Sequence, residues 1–482
     1  MLIDRIEFDL RLVVEALLTV GSGRLEAKEG GEEGSIAEVH RDADKRPCIP
    51  ATTIKGALLA RWTGDKSVAD ALFGKILDRR ADTGVAGSLL LYAATLADAA
   101  NAVAPAKRAR DDATFDRPAT AIDRNTGAAA DNKLFAQRAV AAGAVFDLHG
   151  KLLCDLAADA DPNAARAARD KALDRVAAAL APLATGISVG KGTRQGYGRL
   201  RLAGVTRVTV QQYGADGYGP EPADAETAAD DLQTRIVAAA KKLPAATKQP
   251  AVTLEIHAPG PFLILDPSAK WSAKASTEGV ETHVNVHYLA CPDGVPVLWP
   301  SSFLGALRSR AAWLLEIERL QTPGTARVPR ERDADTPVDD RFLENVFDDR
   351  RAVLAPGDLR LLTPVERLFG VPGWRGLLEI ARLECRDPGQ RRKRTSIAID
   401  RLTGGGKDGA LFTVEAVEGS RFEIDITLDR TRMTSGWQKD LAEHDAAFFK
   451  TVIDDLVKNG LMLGHGAARG YGWFTVAQIR RT

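Results

Sequence analysis

The chain has 482 residues, 45% hydrophobic and 27% charged, a globular composition with material for two or three cores. Lys+Arg and Asp+Glu balance at 65 each, which excludes a freely sliding polycation but leaves room for local basic grooves. Cys48, Cys154, Cys291 and Cys385 are far apart and form no C-x-x-C pair, so free thiols are expected and no zinc site.

The N-terminal stretch MLIDRIEFDLRLVVEALL is interrupted by Asp4, Arg5, Glu7, Asp9 and Arg11, so it reads as neither signal peptide nor membrane span. No other stretch is long and apolar enough to cross a bilayer, and a soluble, cytoplasmic protein with no membrane partner is expected. Ile6, Phe8, Leu10 and Leu12 alternate with charged residues, the period of a strand. IPATTIKGALLARW (Ile49–Trp62) then predicts a helix, with Thr52 and Thr53 at the capping positions just after Pro50. AIDRNTGAAADNKLFAQRAVAAGAVFDL (Ala121–Leu148) has few side chains that build a core and suits a projecting arm. An Ala-rich helix is expected over Asp161–Leu183, followed by GKGTRQGYG (Gly190–Gly198) and a strand-like run. Residues 213–248 have linker composition, with a short helix at DLQTRIVAAAKKL.

The pattern then restarts. Val252, Leu254 and Ile256 alternate with Thr253 and Glu255, and WPSSFLGALRSRAAW (Trp299–Trp313) predicts a helix with an apolar face of Leu304, Leu307, Ala311 and Leu314. The Pro-rich, charged stretch Arg319–Phe342 reads as surface insertion, set within about 319–365. AIDRLTGGGKDGALFTVEAVEGSRFEIDI (Ala398–Ile426) and GHGAARGYG (Gly464–Gly472) complete the second set. Three blocks therefore recur in one order, at similar spacing: Pro50 to Pro300, Asp123 to Asp400, Gly190 to Gly464. This is a tandem duplication, with domains at 1–212 and 249–482. Strand, helix, strands, helix, glycine loop, strand predicts an α+β fold of two βαββαβ ferredoxin-like domains.

Two readings of the helix starts stay open: simple caps, or anion sites built from free N–H groups and hydroxyls. The second would use Thr52, Thr53, Lys55 and Arg61 in one half, and Ser301, Ser302, Arg308 and Arg310 in the other. The glycine loops have the wrong spacing and context for a dinucleotide fingerprint. Missing Cβ atoms at Gly190, Gly192 and Gly196, and at Gly464, Gly466 and Gly470, would let a polyanionic backbone approach. Lys191, Arg194 and Arg199, then His465 and Arg469, would supply charge. Tyr197 and Tyr471 are expected to pack rather than to stack on bases. Asp123–Arg124 and Asp400–Arg401 read as ion pairs. The run Arg391–Arg394 is either a solvated face or a nucleic-acid contact.

Together, IP-x-[ST]-[ST]-x-K-G-A-L, IDR-x-TG-A and G-x-G-x-x-x-G-Y-G resemble the hallmarks of the RAMP superfamily of CRISPR-associated proteins. Within it the likeness is to backbone subunits of type III effectors, two of them fused in tandem as in type III-D-like systems. The resemblance implies an RRM-like palm in each half, guide RNA lying across it and a thumb hairpin that kinks the guide–target duplex. Arg41, Arg124 and Arg401 join the RNA contacts on this basis. The implied partners are guide RNA, target RNA and other effector subunits. No tightly bound cofactor is implied, only Mg²⁺ if target is cleaved. The cleaving aspartate of such subunits is expected shortly before a V-x-R-D stretch, where Ile36 and His283 stand. Glu38, Asp42, Asp266 and Glu281 are the acids left to serve. Other readings are a metal-dependent ribonuclease, a processing ribonuclease with a His base, and a duplicated ferredoxin-like protein without nucleic acid. Seven histidines that make no repeated pair disfavour the His base.

Overall fold

A computed structural model describes residues 2–27, 35–78, 83–104, 109–122, 129–154, 162–214, 217–220, 225–243, 251–265, 276–277, 280–281, 288, 294–321, 359–360, 362–371, 374–430, 433 and 436–481. They form two units: Met1–Ala119, Phe135–Thr193 and Tyr197–Lys248 in one, Thr120–Leu134, Arg194–Gly196 and Gln249–Thr482 in the other. Cys48, Cys154 and Cys385 are free thiols, and Cys291 lies outside the described residues. No described helix is long and apolar enough to cross a membrane.

The first unit runs β1 (Leu2–Val14), β2 (Gly21–Ala27), β3 (Ser35–Val39), α1 (Ala51–Ala60), β4 (Ala94–Asp98), β5 (Thr114–Ile122), β6 (Ala129–Val140), β7 (Val145–Leu153), α2 (Pro162–Thr185), β8 (Arg199–Gly214) and α3 (Ala225–Lys241). Its main sheet has the order β8-β1-β7-β4, antiparallel throughout, with short strands Ile187–Ser188 and Cys48–Ile49 at the two edges. With α1 and α2 as crossovers this is the βαββαβ arrangement. The period-2 pattern of β1 sets its register: Leu10 faces Leu148, and Phe8 faces Val208. Ile6, Phe8, Leu10 and Leu12 are all fully buried. They pack on Ile54 and Leu58 of α1 and on Val176, Leu180 and Leu183 of α2.

Helix α3 lies in the 213–248 stretch, yet Ala229, Leu232 and Ile236 belong to the same core. Arg235 holds it to α2 through Asp170 and Asp174, each at 2.8 Å.

The second unit repeats the plan with β9 (Val252–His257), α4 (Pro300–Gln321), α5 (Pro364–Phe369), β10 (Leu378–Asp387), β11 (Gln390–Ile399), β12 (Gly406–Glu418), β13 (Arg421–Leu428), α6 (Gly436–Asn459) and β14 (Trp473–Arg481). The sheet order is β10-β13-β9-β14, with Leu461–Met462 at the edge. Leu254 of β9 faces Ile424 on one side and Ile479 on the other. Phe262, Phe422 and Phe474 meet in the core with ring centroids 4.9–6.0 Å apart. Most of the expected insertion, residues 322–358, lies outside the described residues.

A buried ion pair fastens α5 to α6. The Arg367 guanidinium donates Nε and Nη2 to the two Asp445 oxygens at 2.7 Å, and Nη1 donates to the carbonyls of Leu359 and Leu362. Their side chains are 4% and 0% exposed. Asp445→Ala leaves a guanidinium buried without its counter-charge and is expected to cost about 3–5 kcal/mol. Arg367→Met/Asp445→Leu together should cost far less. Chemical denaturation of both variants reads the difference, and equal losses would show that the pair is not what fastens α5.

Candidate nucleic-acid interface

Each glycine loop hangs on the turn that follows its unit's first strand. In the first unit the Lys191 N–H donates to Thr19 O at 2.8 Å and the Gly198 N–H to Leu17 O at 2.7 Å. In the second, the His465 N–H donates to Leu263 O at 2.8 Å and the Gly472 N–H to Pro261 O at 2.7 Å. The loops close on themselves alike, Val189 N–H to Gly198 O and Leu463 N–H to Gly472 O, around a single 3₁₀ turn at Thr193–Gln195 or Ala467–Arg469. All eight loop glycines have left-handed φ, between 74° and 89°. A Cβ on Gly472 would stand 1.8 Å from Leu463 O, whereas one on Gly470 would meet nothing within 4 Å. At Gly192 a Cβ would fall 2.6 Å from Cδ2 of Tyr197. Gly472 and Gly192 thus serve the loop's own backbone and its tyrosine, while Gly470 faces open space. Tyr197 and Tyr471 are buried, 7% and 8% exposed, as packing residues should be.

The charges on the loops differ in how they are employed. Lys191 is exposed and has no hydrogen-bond or ion-pair partner among the described residues. Arg194, grouped with the second unit, donates to the carbonyls of Leu378 (3.0 Å) and Phe369 (3.1 Å). It is committed to backbone there. Arg469 is exposed, with Nη2 3.3 Å from Nε2 of His465 and Cζ 5.4 Å from the Phe412 ring centre. Lost hydration, then the Arg469 charge, hold the His465 imidazole below its usual pKa.

The helices lie against the strands that lead into the loops: α1 touches Ile187–Ser188 and α4 touches Leu461–Met462. Neither hydroxyl caps α1. Pro50 is the N-cap, and no side chain bonds to the free N–H groups, so the simple capping reading fails for Thr52 and Thr53. Thr53 N–H to Pro50 O and Ser302 N–H to Trp299 O are equivalent bonds. The two prolines are therefore one residue out of step, Thr52 matches Ser301, and Thr53 matches Ser302. Lys55 then corresponds to Leu304, which is 8% exposed. Lys55 has no partner among the described residues, whereas Arg61, Ser301 and Arg308 are each engaged. Arg310 grips Asp455 of α6 with both forks, at 2.6 and 2.7 Å, and stacks on Trp313. This bond raises the pKa of Arg310 and lowers that of Asp455. Arg310 locks helix to helix.

Strands β11 and β12 form a long hairpin. Every residue of β11 is at least partly exposed, as are the turn residues Asp400–Gly405, Leu402 reaching 95%. Asp400 holds this turn by accepting from the N–H groups of Leu402 and Thr403 at 2.9 Å, rather than pairing with Arg401. Those amides hold its carboxyl below the usual range. Arg401 is exposed. Arg391, Arg392 and Arg394 share Glu415 and Glu418, while Lys393 is unpaired among the described residues, so the strand stays basic. In the first unit the matching pair is β5 and β6; Asp123 and Arg124 lie between them, outside the described residues.

The first unit's acids are taken. Glu38, 4% exposed, accepts from Arg41 Nε at 3.2 Å and from the Val39 amide at 2.9 Å, and it pairs with buried Arg138. Arg41 also binds Asp112 at 2.8 Å, and Arg138 binds Asp116 at 2.8 Å. Asp42 accepts from the amide and guanidinium of Arg46 at 2.8 and 2.9 Å. Burial pushes its pKa up, and the Arg46 bonds together outweigh this and lower it. Ile36 lies buried in β3 rather than in a loop. Among the described residues no three His, Cys, Asp or Glu side chains are grouped to hold a metal ion. Glu38 and Asp42, neutralised by arginines, do not fit Mg²⁺. Asp266 and His283 lie outside the described residues; Glu281 ends the short strand Val280–Glu281.

One exposed residue at the loop exit is not singled out by any sequence motif. Trp473, 43% exposed, stands where the first unit has Arg199, which pairs with Glu15 at 2.7 Å. The only signal is the contrast of YGW with YGR.

Gly472→Ala should unfold the second loop, because the new methyl collides with Leu463 O. Gly470→Ala has open space and should cost only about 1–2 kcal/mol for its left-handed backbone. Thermal melts of the two variants test this ordering; a melt for Gly472→Ala as mild as that for Gly470→Ala contradicts it.

A family model described as the RAMP superfamily matches residues 12–201 and again 281–475. None of the curated proteins compared matches the chain. The two matches cover most of the sequence and fall one on each βαββαβ core, the same two copies that the glycine loops and helix starts relate. The chain belongs to the RAMP superfamily, as a tandem duplication of its domain.

Proposed function

We propose that this chain is an RNA-holding backbone subunit of a type III CRISPR effector complex, of the type III-D-like tandem form. It would supply two consecutive segments that grip guide RNA and the guide–target duplex without reading sequence. The observation that carries this reading is the doubled constellation: in each unit a glycine loop, fixed to the first turn by the same two backbone bonds, follows a strand that touches a helix with an uncapped or hydroxyl-rich start. Lys55 and Lys191 in the first unit and Arg469 in the second supply the charge. The hairpin β11–β12, basic along one strand and apolar at Leu402, suits the thumb that enters the duplex. Holding rather than cutting is the role we assign to the first unit, where Ile36 is buried and both Glu38 and Asp42 are neutralised by arginines.

Sequencing of RNA that co-purifies with the tagged chain should return guide sequences with a common repeat-derived end. Lys55→Gln, Lys191→Gln and Arg469→Gln should each flatten the salt dependence of RNA binding by roughly 0.7 in log–log slope, equally for unrelated sequences. Arg41→Gln and Arg310→Gln should lower stability instead, since their forks are bound inside the protein. A loss confined to particular sequences would point to base readout and against this grip.

A further inference from the structure

The two loops are alike in backbone and unlike in one side chain. His465 occupies the place of Lys191: each donates its N–H to the carbonyl of the third residue of the matching turn, Leu263 or Thr19, at 2.8 Å. Lys191 is an exposed lysine. His465 is paired with Arg469, whose Nη2 lies 3.3 Å from imidazole Nε2. A guanidinium can only donate, so Nε2 accepts and the ring proton sits on Nδ1. Lost hydration, then the Arg469 charge, lower the pKa of this imidazole in the free protein.

The turn beneath supplies the Leu263 carbonyl to the His465 N–H, and β12 supplies Phe412 under Arg469. Arg469 is the one charged group acting on His465 among the described residues, and it opposes protonation.

We propose that His465 and Arg469 form a proton-linked anion clamp, in which an RNA phosphate draws Arg469 off Nε2 and the freed nitrogen takes a proton from solvent to become a second donor to that phosphate. The inference rests on the RNA-holding reading above and adds an asymmetry to it. The first loop grips at any pH near neutrality. The second tightens as pH falls, with one proton taken up per site. By linkage, each unit by which the phosphate raises the imidazole pKa gives about tenfold in affinity across the titration.

The test is fluorescence anisotropy of a labelled oligouridylate with the full chain, from pH 7.5 to 5.5 at fixed ionic strength, comparing wild type with His465→Lys. The position is exposed and the first loop already carries lysine there, so the variant should fold. Wild-type affinity should rise by up to about tenfold on acidification. His465→Lys should lose most of that rise while binding at least as tightly at pH 7.5. Equal pH slopes in the two proteins overturn the clamp and leave the RNA-holding reading intact. No binding by either protein at any pH overturns both.

Discussion

Everything at the proposed grip depends on two backbone hydrogen bonds per unit, from the glycine loop to the turn after the first strand. They fix the loop from outside, and the left-handed glycines let it close from inside. Because neither set of bonds involves a side chain, the loop's shape survives wide change in the residues between the glycines. KGTRQ and HGAAR make the same turn. The scaffold and the chemistry are thereby separated: backbone sets the position, and side chains are free to vary in charge.

That separation explains which parts were legible in the sequence. The duplication, the βαββαβ plan and the buried face of β1 follow from spacing and periodicity, which are local properties. The glycines were legible too, and the structure adds a local reason for two of them: Gly192 makes room for Tyr197, and Gly472 for the carbonyl of Leu463. The fates of the arginines were not legible. Arg310 and Arg41 look like phosphate ligands by sequence, yet their partners Asp455 and Asp112 lie far along the chain and carry no motif. Similarly, the AIDR aspartate invited an ion pair with its neighbour. The turn geometry gave Asp400 two backbone amides instead.

A division of labour among cations results. Several guanidinium groups, with their planar forks, are spent on carboxylates and carbonyls inside the units, where bidentate geometry gives most. Arg138, Arg310 and Arg367 are of this kind. The lysines at the grip, Lys55 and Lys191, remain point charges without partners among the described residues. Such charges suit a polymer whose phosphates pass in varied orientation, because an ammonium asks for proximity and not for a particular angle.

Helix α3 bears on how a fused pair of domains can be taken apart. Its Leu232 and Ile236 are fully buried in the first core, and Arg235 ties it to α2. What reads as a connector in composition is therefore the last structural piece of the first domain. A gene divided at residue 212 would strip that core of one wall and leave an apolar surface open to aggregation. A division beyond residue 243 would keep the wall with the domain it completes.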